Sequence, residues 1–328
     1  MTKPSAGFEA PFALARFHDG DRVQGGEPAT LGLVAGERIR PLSADELGAD
    51  GLAGFLADPD WDRLEDLALA EGPWRALDSV VLAAPVEPGK VLQAGANYRT
   101  HVVQLVMAGL HRADSAVDPE VLRAKAEKIM DARADGEPFM FIGLPQCVVG
   151  TDQPLRLPAY SETHDWEIEL AVVIGRPAFR VDRAHAMEHV AGYTIVNDIT
   201  TRDLVFPTDV GDIGADWYRA KNAPGFLPTG PFLVPAPFVD PTDISIRLSL
   251  NGEVMQDATT AELIFDVPTL VSAASQTATL NPGDILLTGS PAGNGQHWER
   301  FLRDGDVMSG SVAGLGTQVV RCVAEAGA

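Results

Sequence analysis

Glu167 and Glu169 stand one residue apart at the head of the run Ile168-Glu169-Leu170-Ala171-Val172-Val173-Ile174, which Gly175 closes. The run reads as one strand entering a core. Strand side chains alternate faces, so the two carboxylates point the same way and Ile168 the other. Paired carboxylates at the start of a buried strand repel each other and resist desolvation unless a cation joins them. Gly192-Tyr193-Thr194-Ile195-Val196 reads as a second strand ending at Asn197-Asp198, where Asp198 offers a third oxygen. Three hard carboxylates with no neighbouring Cys or clustered His suit Mg²⁺ or Mn²⁺, with Ca²⁺ a poorer match. An acid-x-acid pair is also the ordinary pattern of a sheet's solvated face, so spacing alone leaves both readings open.

Other reactive side chains are scattered. His101 opens the stretch His101-Val102-Val103-Gln104-Leu105-Val106-Met107-Ala108-Gly109-Leu110, a short helix of oddly apolar composition. It is a candidate base, or a residue that only caps or packs. Arg202 follows Asp198 closely and can pair with an acid or neutralise a substrate carboxylate. Lys221 precedes the turn Asn222-Ala223-Pro224-Gly225, where a lone lysine is ordinarily solvated. Gly289-Ser290-Pro291-Ala292-Gly293 forms a tight loop whose backbone N–H groups and Ser290 hydroxyl could hold an anion. Its glycine spacing is neither a P-loop nor a dinucleotide fingerprint.

The elements that must position these residues follow from periodicity. Phe12–Phe17, Thr30–Val34 and Arg38–Arg40 read as short strands, and 43–69 as helical and acidic. Residues 1–85 form an accessory domain and 86–328 the main one, joined through Pro85-Val86-Glu87-Pro88-Gly89. Asp118 caps a helix with Pro119 at its first position, on which Leu122, Ala126, Ile129 and Met130 share a face. This helix and the one from His101 form a movable cover between two strands. Phe139–Gly143 and Cys147–Gly150 read as buried or edge strands, and 183–190 as a short helix. Ile244–Leu250 alternates, Asn251-Gly252 signals a hairpin, and Ala261–Ser275 reads as a helix interrupted by Pro268.

Composition bounds the function. The chain has 328 residues, 45% of them hydrophobic, and a formal charge of −21. Such an acidic balance argues against nucleic-acid and anionic-membrane partners, which need clustered Lys and Arg. Only two cysteines are present, the N-terminus lacks a signal-type apolar region, and no run is long enough to span a bilayer. A cytoplasmic protein is expected.

Taken together, the motifs resemble those of the fumarylacetoacetate hydrolase family. They are Gly95-x-Asn97-Tyr98-Arg99-x-His101, Asp165-Trp166-Glu167-Ile168-Glu169, Gly192-Tyr193-Thr194-x-x-Asn197-Asp198-x-Thr200-x-Arg202-Asp203, Thr229-Gly230-Pro231, Leu250-Asn251-Gly252-Glu253-x-x-Gln256, Pro282-Gly283-Asp284 and Thr288-Gly289-Ser290-Pro291-Ala292-Gly293. The resemblance implies a mixed, β-rich α+β protein: a β-sandwich or roll catalytic domain with a small β-rich accessory domain, assembled as a homodimer. It implies Mg²⁺ or Mn²⁺ on Glu167, Glu169 and Asp198, with His101 as base on a lid. Lys221 and Arg202 would act in catalysis, and Tyr98, Ser290 and Gln104 in substrate binding. The implied reaction is hydrolytic C–C cleavage of a 1,3-diketo acid such as an acylpyruvate. Decarboxylation, hydration or isomerisation of a 2-oxo acid, or a non-catalytic metal-stabilised dimer, are the alternatives. Two departures stand out: Gln104 occupies the place of the family's acid in His-x-x-Glu, and Gly143 stands about where a second lysine is expected.

Overall fold

The computed structural model describes residues 7–20, 28–113, 118–209 and 214–325. Its centre is an antiparallel hairpin of Ile168–Ile174 and Val190–Asn197, in register from Ile168 opposite Asn197 to Ile174 opposite Val190. Every residue of both strands is buried. This hairpin lies in the middle of an eight-stranded sheet running Phe139–Gly143, Val91–Gly95, Ile285–Leu287, the hairpin, Leu227–Thr229 and Val148–Gly150, with Val234–Pro235 pairing at one side. The two short strands expected to be buried or edge elements are thus its two edges.

Period-two alternation explains why the hairpin is apolar on both faces. Ile168, Leu170, Val172 and Ile174 share a core with Ile246, Leu248, Leu250, Val312 and Val320 of a second, five-stranded sheet. That sheet runs Glu253–Thr259, Ser245–Leu250, Val307–Val312, Gly316–Ala324 and Leu155–Leu157. The opposite face, with Ala171, Val173, Ala191 and Val196, packs on Leu14, Leu33, Phe55, Leu56 and Leu64 of the N-terminal segment. That segment forms its own five-stranded sheet, ordered Arg75–Ala76, Arg38–Pro41, Thr30–Ala35, Ala13–Asp19 and Val80–Ala83, beside short helices at Ala44–Leu47, Gly51–Ala57 and Trp61–Leu69. The chain is therefore a β-rich α+β protein. Leu14 and Leu233 exchange backbone hydrogen bonds of 2.9 and 2.8 Å, which stitch the N-terminal sheet to the large one.

Turn chemistry matches the sequence. Asn251 and Gly252 both adopt positive φ, as the tight hairpin between Ser245–Leu250 and Glu253–Thr259 requires. Two helices, Arg99–Ala113 and Pro119–Ala134, pack together through Val102, Val103, Ala126 and Met130. Asp118 caps the second through the Glu120 amide at 2.8 Å. Ile129 is 43% exposed, so it does not share the buried face expected of it. Another correction concerns Pro268. The helix spans Val267–Thr277, capped by Asp266, and Pro268 lies in its first turn, where a missing N–H costs nothing; it begins the helix and does not interrupt it. Residues 186–189 form only a 3₁₀ turn. Both cysteines are free and buried, and no helix among the described residues is long and apolar enough to cross a membrane.

Candidate metal centre and its cavity

The mouth of the central hairpin gathers the acids. Glu167 precedes the first strand and Asp198 follows the second, so the register that pairs Ile168 with Asn197 brings them face to face. The Asp198 amide donates to the Glu167 carbonyl at 2.8 Å, and the Glu167 amide donates to Asn197 Oδ1 at 2.8 Å. Glu169, two residues on, shares the face of Glu167. The three side chains are buried, each offering a carboxylate oxygen within 4.8 Å of the other two. The solvated-face reading of this acid-x-acid pair therefore falls.

Lys221, at the end of the helix Trp217–Lys221, is 3% exposed, not solvated. Its ammonium donates to Glu167 Oε2 at 2.8 Å, to Thr200 Oγ1 at 2.7 Å and to Asp198 Oδ2. Arg202 bridges Asp165 Oδ2 and Glu167 Oε1, each at 2.6 Å. Asp165 also accepts from the amides of Trp166, Gly295 and Gln296. The amide of Gly289 donates to Glu169 Oε2 at 2.6 Å, so this loop donor serves the protein's own carboxylate. Gln93 donates to Asp198 Oδ1 at 2.7 Å.

Four carboxylates (Asp165, Glu167, Glu169, Asp198) thus face two cations (Lys221, Arg202), leaving two negative charges uncompensated. The titration directions carry the same imbalance. Burial, with the charges of Asp198 and Glu167, pushes Glu169 well above the usual carboxylate range. Burial lifts Asp198 to about 6 against the pull of Lys221. Burial opposes ionisation of Glu167 too, but Lys221 and Arg202 outweigh it and hold that carboxyl low. A hard divalent cation on Glu167, Glu169 and Asp198 would supply the missing charge to an all-oxygen donor set, so the residues fit such an ion.

A cavity of about 130 Å³ opens on the triad. His101, from the helix Arg99–Ala113, lines it together with Arg202, Lys221 and Ser290. Burial pulls the His101 imidazole down to about 4, with Glu167 opposing and Arg202, His297 and Lys221 assisting, so it is neutral at pH 7. Its outer wall is aromatic: Phe139, Phe141 and Trp217. Seven of the nine residues singled out in the sequence therefore meet in one place. Tyr98 and Gln104 are not among the lining residues. Tyr98 is wholly buried in the core at the start of the first cover helix, and Gln104 lies half-buried one turn beyond His101.

Sequence reasoning gave no role to Asp165, Gln93, Thr200, Phe141 or Trp217. Asp165 carried a usable signal, since Asp165-x-Glu167-x-Glu169 continues the period-two pattern. The others meet the site only through tertiary contact. Gly143 is informative here. A Cβ at this position would lie 3.2 Å from Gln93 Oε1, which has no hydrogen-bond partner among the described residues.

The β-rich α+β fold thus gathers an all-oxygen donor set suited to a hard cation beside the helix that carries His101. The model of the fumarylacetoacetate (FAA) hydrolase C-terminal region matches residues 90–323, and the chain belongs to that family. It is 32% identical over 242 residues to the mitochondrial oxaloacetate tautomerase fahd2 of Xenopus laevis, covering 73% of this chain and 67% of that one. Among solved structures, 2-hydroxyhepta-2,4-diene-1,7-dioate isomerase from Mycobacterium marinum superposes with a TM-score of 0.70 at 28% identity, covering 96% of this chain and all of the other. Maleylpyruvate hydrolase from Sphingobium sp. SYK-6, in complex with manganese(II) and pyruvate, gives 0.72 at 26% identity with the same coverage. The names of these relatives span hydrolysis, isomerisation and tautomerisation.

Proposed function

We propose that this chain is a divalent-metal-dependent hydrolase that cleaves a C–C bond of a small 1,3-diketo acid. The observation that carries the reading is the convergence, in one cavity, of a buried carboxylate triad, two cations and a neutral histidine. Mg²⁺ or Mn²⁺ held by Glu167, Glu169 and Asp198 would act as a Lewis acid toward the oxygens of a chelating 2-oxo acid. His101, uncharged at pH 7, takes a proton from a water that attacks the distal carbonyl. The bond between that carbonyl and the methylene then breaks. Its electron pair stays on the methylene carbon as an enolate, which a proton converts to a methyl ketone, while the distal fragment leaves as a carboxylic acid. Lys221 and Arg202 hold Glu167 and Asp198 ionised and offset negative charge developing above them. Ser290, on the cavity wall, would orient the substrate carboxylate. Copies of the chain would pair as a homodimer, a point that light scattering settles.

Turnover of acylpyruvates, followed by loss of enol absorbance with Mn²⁺, Mg²⁺ or EDTA, tests this. Metal-dependent cleavage abolished by Glu167→Ala is expected. Full cleavage in EDTA would overturn it.

A second reading rests on Gln104. With an amide in place of an acid at position 104, His101 lacks the partner of the His-x-x-Glu pattern, and a single base suits proton transfer between carbon and oxygen, as in keto–enol isomerisation of a 2-oxo acid. Enol-form oxaloacetate disappearing faster with enzyme, and without release of pyruvate, would favour this reading over hydrolysis.

A further inference from the structure

One wall of the cavity is aromatic and adjoins the charged cluster, with the Lys221 ammonium 5.6 Å from the ring centre of Phe141 and 5.8 Å from that of Trp217. Phe139 and Phe141 alternate on one face of the edge strand Phe139–Gly143, and both turn toward Trp217. The rings of Phe141 and Trp217 stack at 4.9 Å with an interplanar angle of 16°. Phe139 completes the group at 6.0 Å from Phe141 and 6.2 Å from Trp217, and remains 44% exposed at the rim. Gly95 makes room for this wall: a Cβ there would stand 2.8 Å from the Phe139 ring and 3.3 Å from that of Phe141.

Charge sharpens the contrast. The cations lining the cavity among the described residues are Lys221 and Arg202, and both are engaged by Asp165, Glu167 and Asp198. With both so paired, no described lining cation is left to neutralise a second carboxylate against the rings. A carboxylate pressed against three aromatic rings without a donor would lose hydration with nothing in return, whereas an aryl or alkyl group would cover ring surface now in water.

We infer that the wall of Phe139, Phe141 and Trp217 is a specificity subsite for an apolar, preferably aromatic, distal group. The substrate class is then a 2-oxo acid carrying one carboxylate and an aryl or alkyl tail. The inference rests on the reading of the carboxylate triad as the place where the 2-oxo acid end is held. It departs from what the names of the relatives suggest, since oxaloacetate, maleylpyruvate and a heptadienedioate each carry a carboxylate at both ends.

The test compares kcat/KM of the Mn²⁺-loaded full chain for 4-phenyl-2,4-dioxobutanoate, 2,4-dioxopentanoate and 2,4-dioxoheptanedioate. The phenyl compound should exceed the dicarboxylate by about tenfold or more, the scale of one good aromatic contact. Trp217→Ala and Phe141→Leu should each lower the phenyl-to-methyl ratio by about tenfold, and Phe139→Leu, at the exposed rim, by about threefold. Equal or greater activity on the dicarboxylate would overturn the inference, as would a ratio unmoved by Phe139→Leu. If no dioxo acid is turned over, the hydrolase reading fails, and the subsite is judged by equilibrium binding. Phenylpyruvate should then bind the Mn²⁺-loaded protein about tenfold tighter than 2-oxoglutarate; equal or reversed affinities overturn the inference.

Discussion

Replacing Lys221 by Met keeps the length of the side chain and removes its charge from between Glu167 and Asp198. The ammonium is 3% exposed and donates to two carboxylates and the Thr200 hydroxyl. Breaking a buried pair by deleting one partner typically costs about 3–5 kcal/mol, because the remaining charge stays buried without a partner. Two acids lose their cation here at once, so the upper half of that range applies in EDTA. Part of the loss returns if Glu167 and Asp198 take up protons, so the destabilisation should shrink as pH falls from 8 to 5. Mn²⁺ should then restore the variant more than it stabilises the wild type. The cluster has gained an uncompensated negative charge, and a cation that repelled the ion is gone. Saturation at about 100 times Kd contributes about 2.7 kcal/mol, and the variant should bind Mn²⁺ on the order of tenfold tighter. Calorimetric unfolding in EDTA and over a Mn²⁺ titration measures both effects. An unchanged midpoint in EDTA would refute the ion-pair argument. A smaller Mn²⁺ response in the variant than in the wild type would refute the assignment of the ion to this triad.

Four further outcomes follow from the same geometry. Asp198→Ala and Glu169→Ala should each abolish Mn²⁺-dependent stabilisation in the same titration, since each removes one of three oxygen donors. His101→Ala should lower kcat by about 10²–10⁴-fold with Mn²⁺ affinity within a few fold; isothermal titration separates the two readouts. Because burial depresses the folded His101 pKa from 6.5 to about 4, its neutrality costs stability only as pH falls below 6.5 and the unfolded imidazole protonates. At saturating Mn²⁺, which keeps Glu169 and Asp198 ionised, the acid limb that His101 contributes to kcat/KM should accordingly lie at about pH 4 and be missing from the residual activity of His101→Ala. Asn97→Ala should cost about 3 kcal/mol or more in urea unfolding, because it strips partners from the Phe265 amide and the carbonyls of Phe265 and Thr288, all held at 2.8–2.9 Å.

The strands around the hairpin were legible because each carries an unambiguous pattern. Leu170–Ile174 is a continuous apolar run, and Asn251-Gly252 is a turn that few residues can make. Asp118-Pro119 announced its helix correctly, while Pro268 was misjudged, since a proline marks a helix start or a helix break depending on which residue caps it. Ile129 fits the helical period of its buried neighbours, yet the partner helix does not reach that side.

At the site, residue types and order along the chain determined the donor set, two glutamates on one strand face and an aspartate at the end of the next strand, and beside it a candidate base, a histidine on an apolar helix. That much is local chemistry, because hard carboxylates and strand alternation need no tertiary information. The tertiary structure decided the rest. Lys221 looks like an ordinary loop cation in the sequence, and only the packing of the helix Trp217–Lys221 against the hairpin mouth turns it into a buried partner of Glu167 and Asp198, while Arg202, which could be read as pairing with an acid, finds Asp165 and Glu167 only through the fold. The same packing sets Trp217 on Phe141, residues 76 positions apart whose stacking no local pattern encodes. Tyr98 and Gln104 lie within six residues of one another around His101, yet the start of the helix sends the first into the core and its rotation takes the second off the cavity wall. Composition selects which groups are available; long-range closure of the sheet determines which of them share a charge.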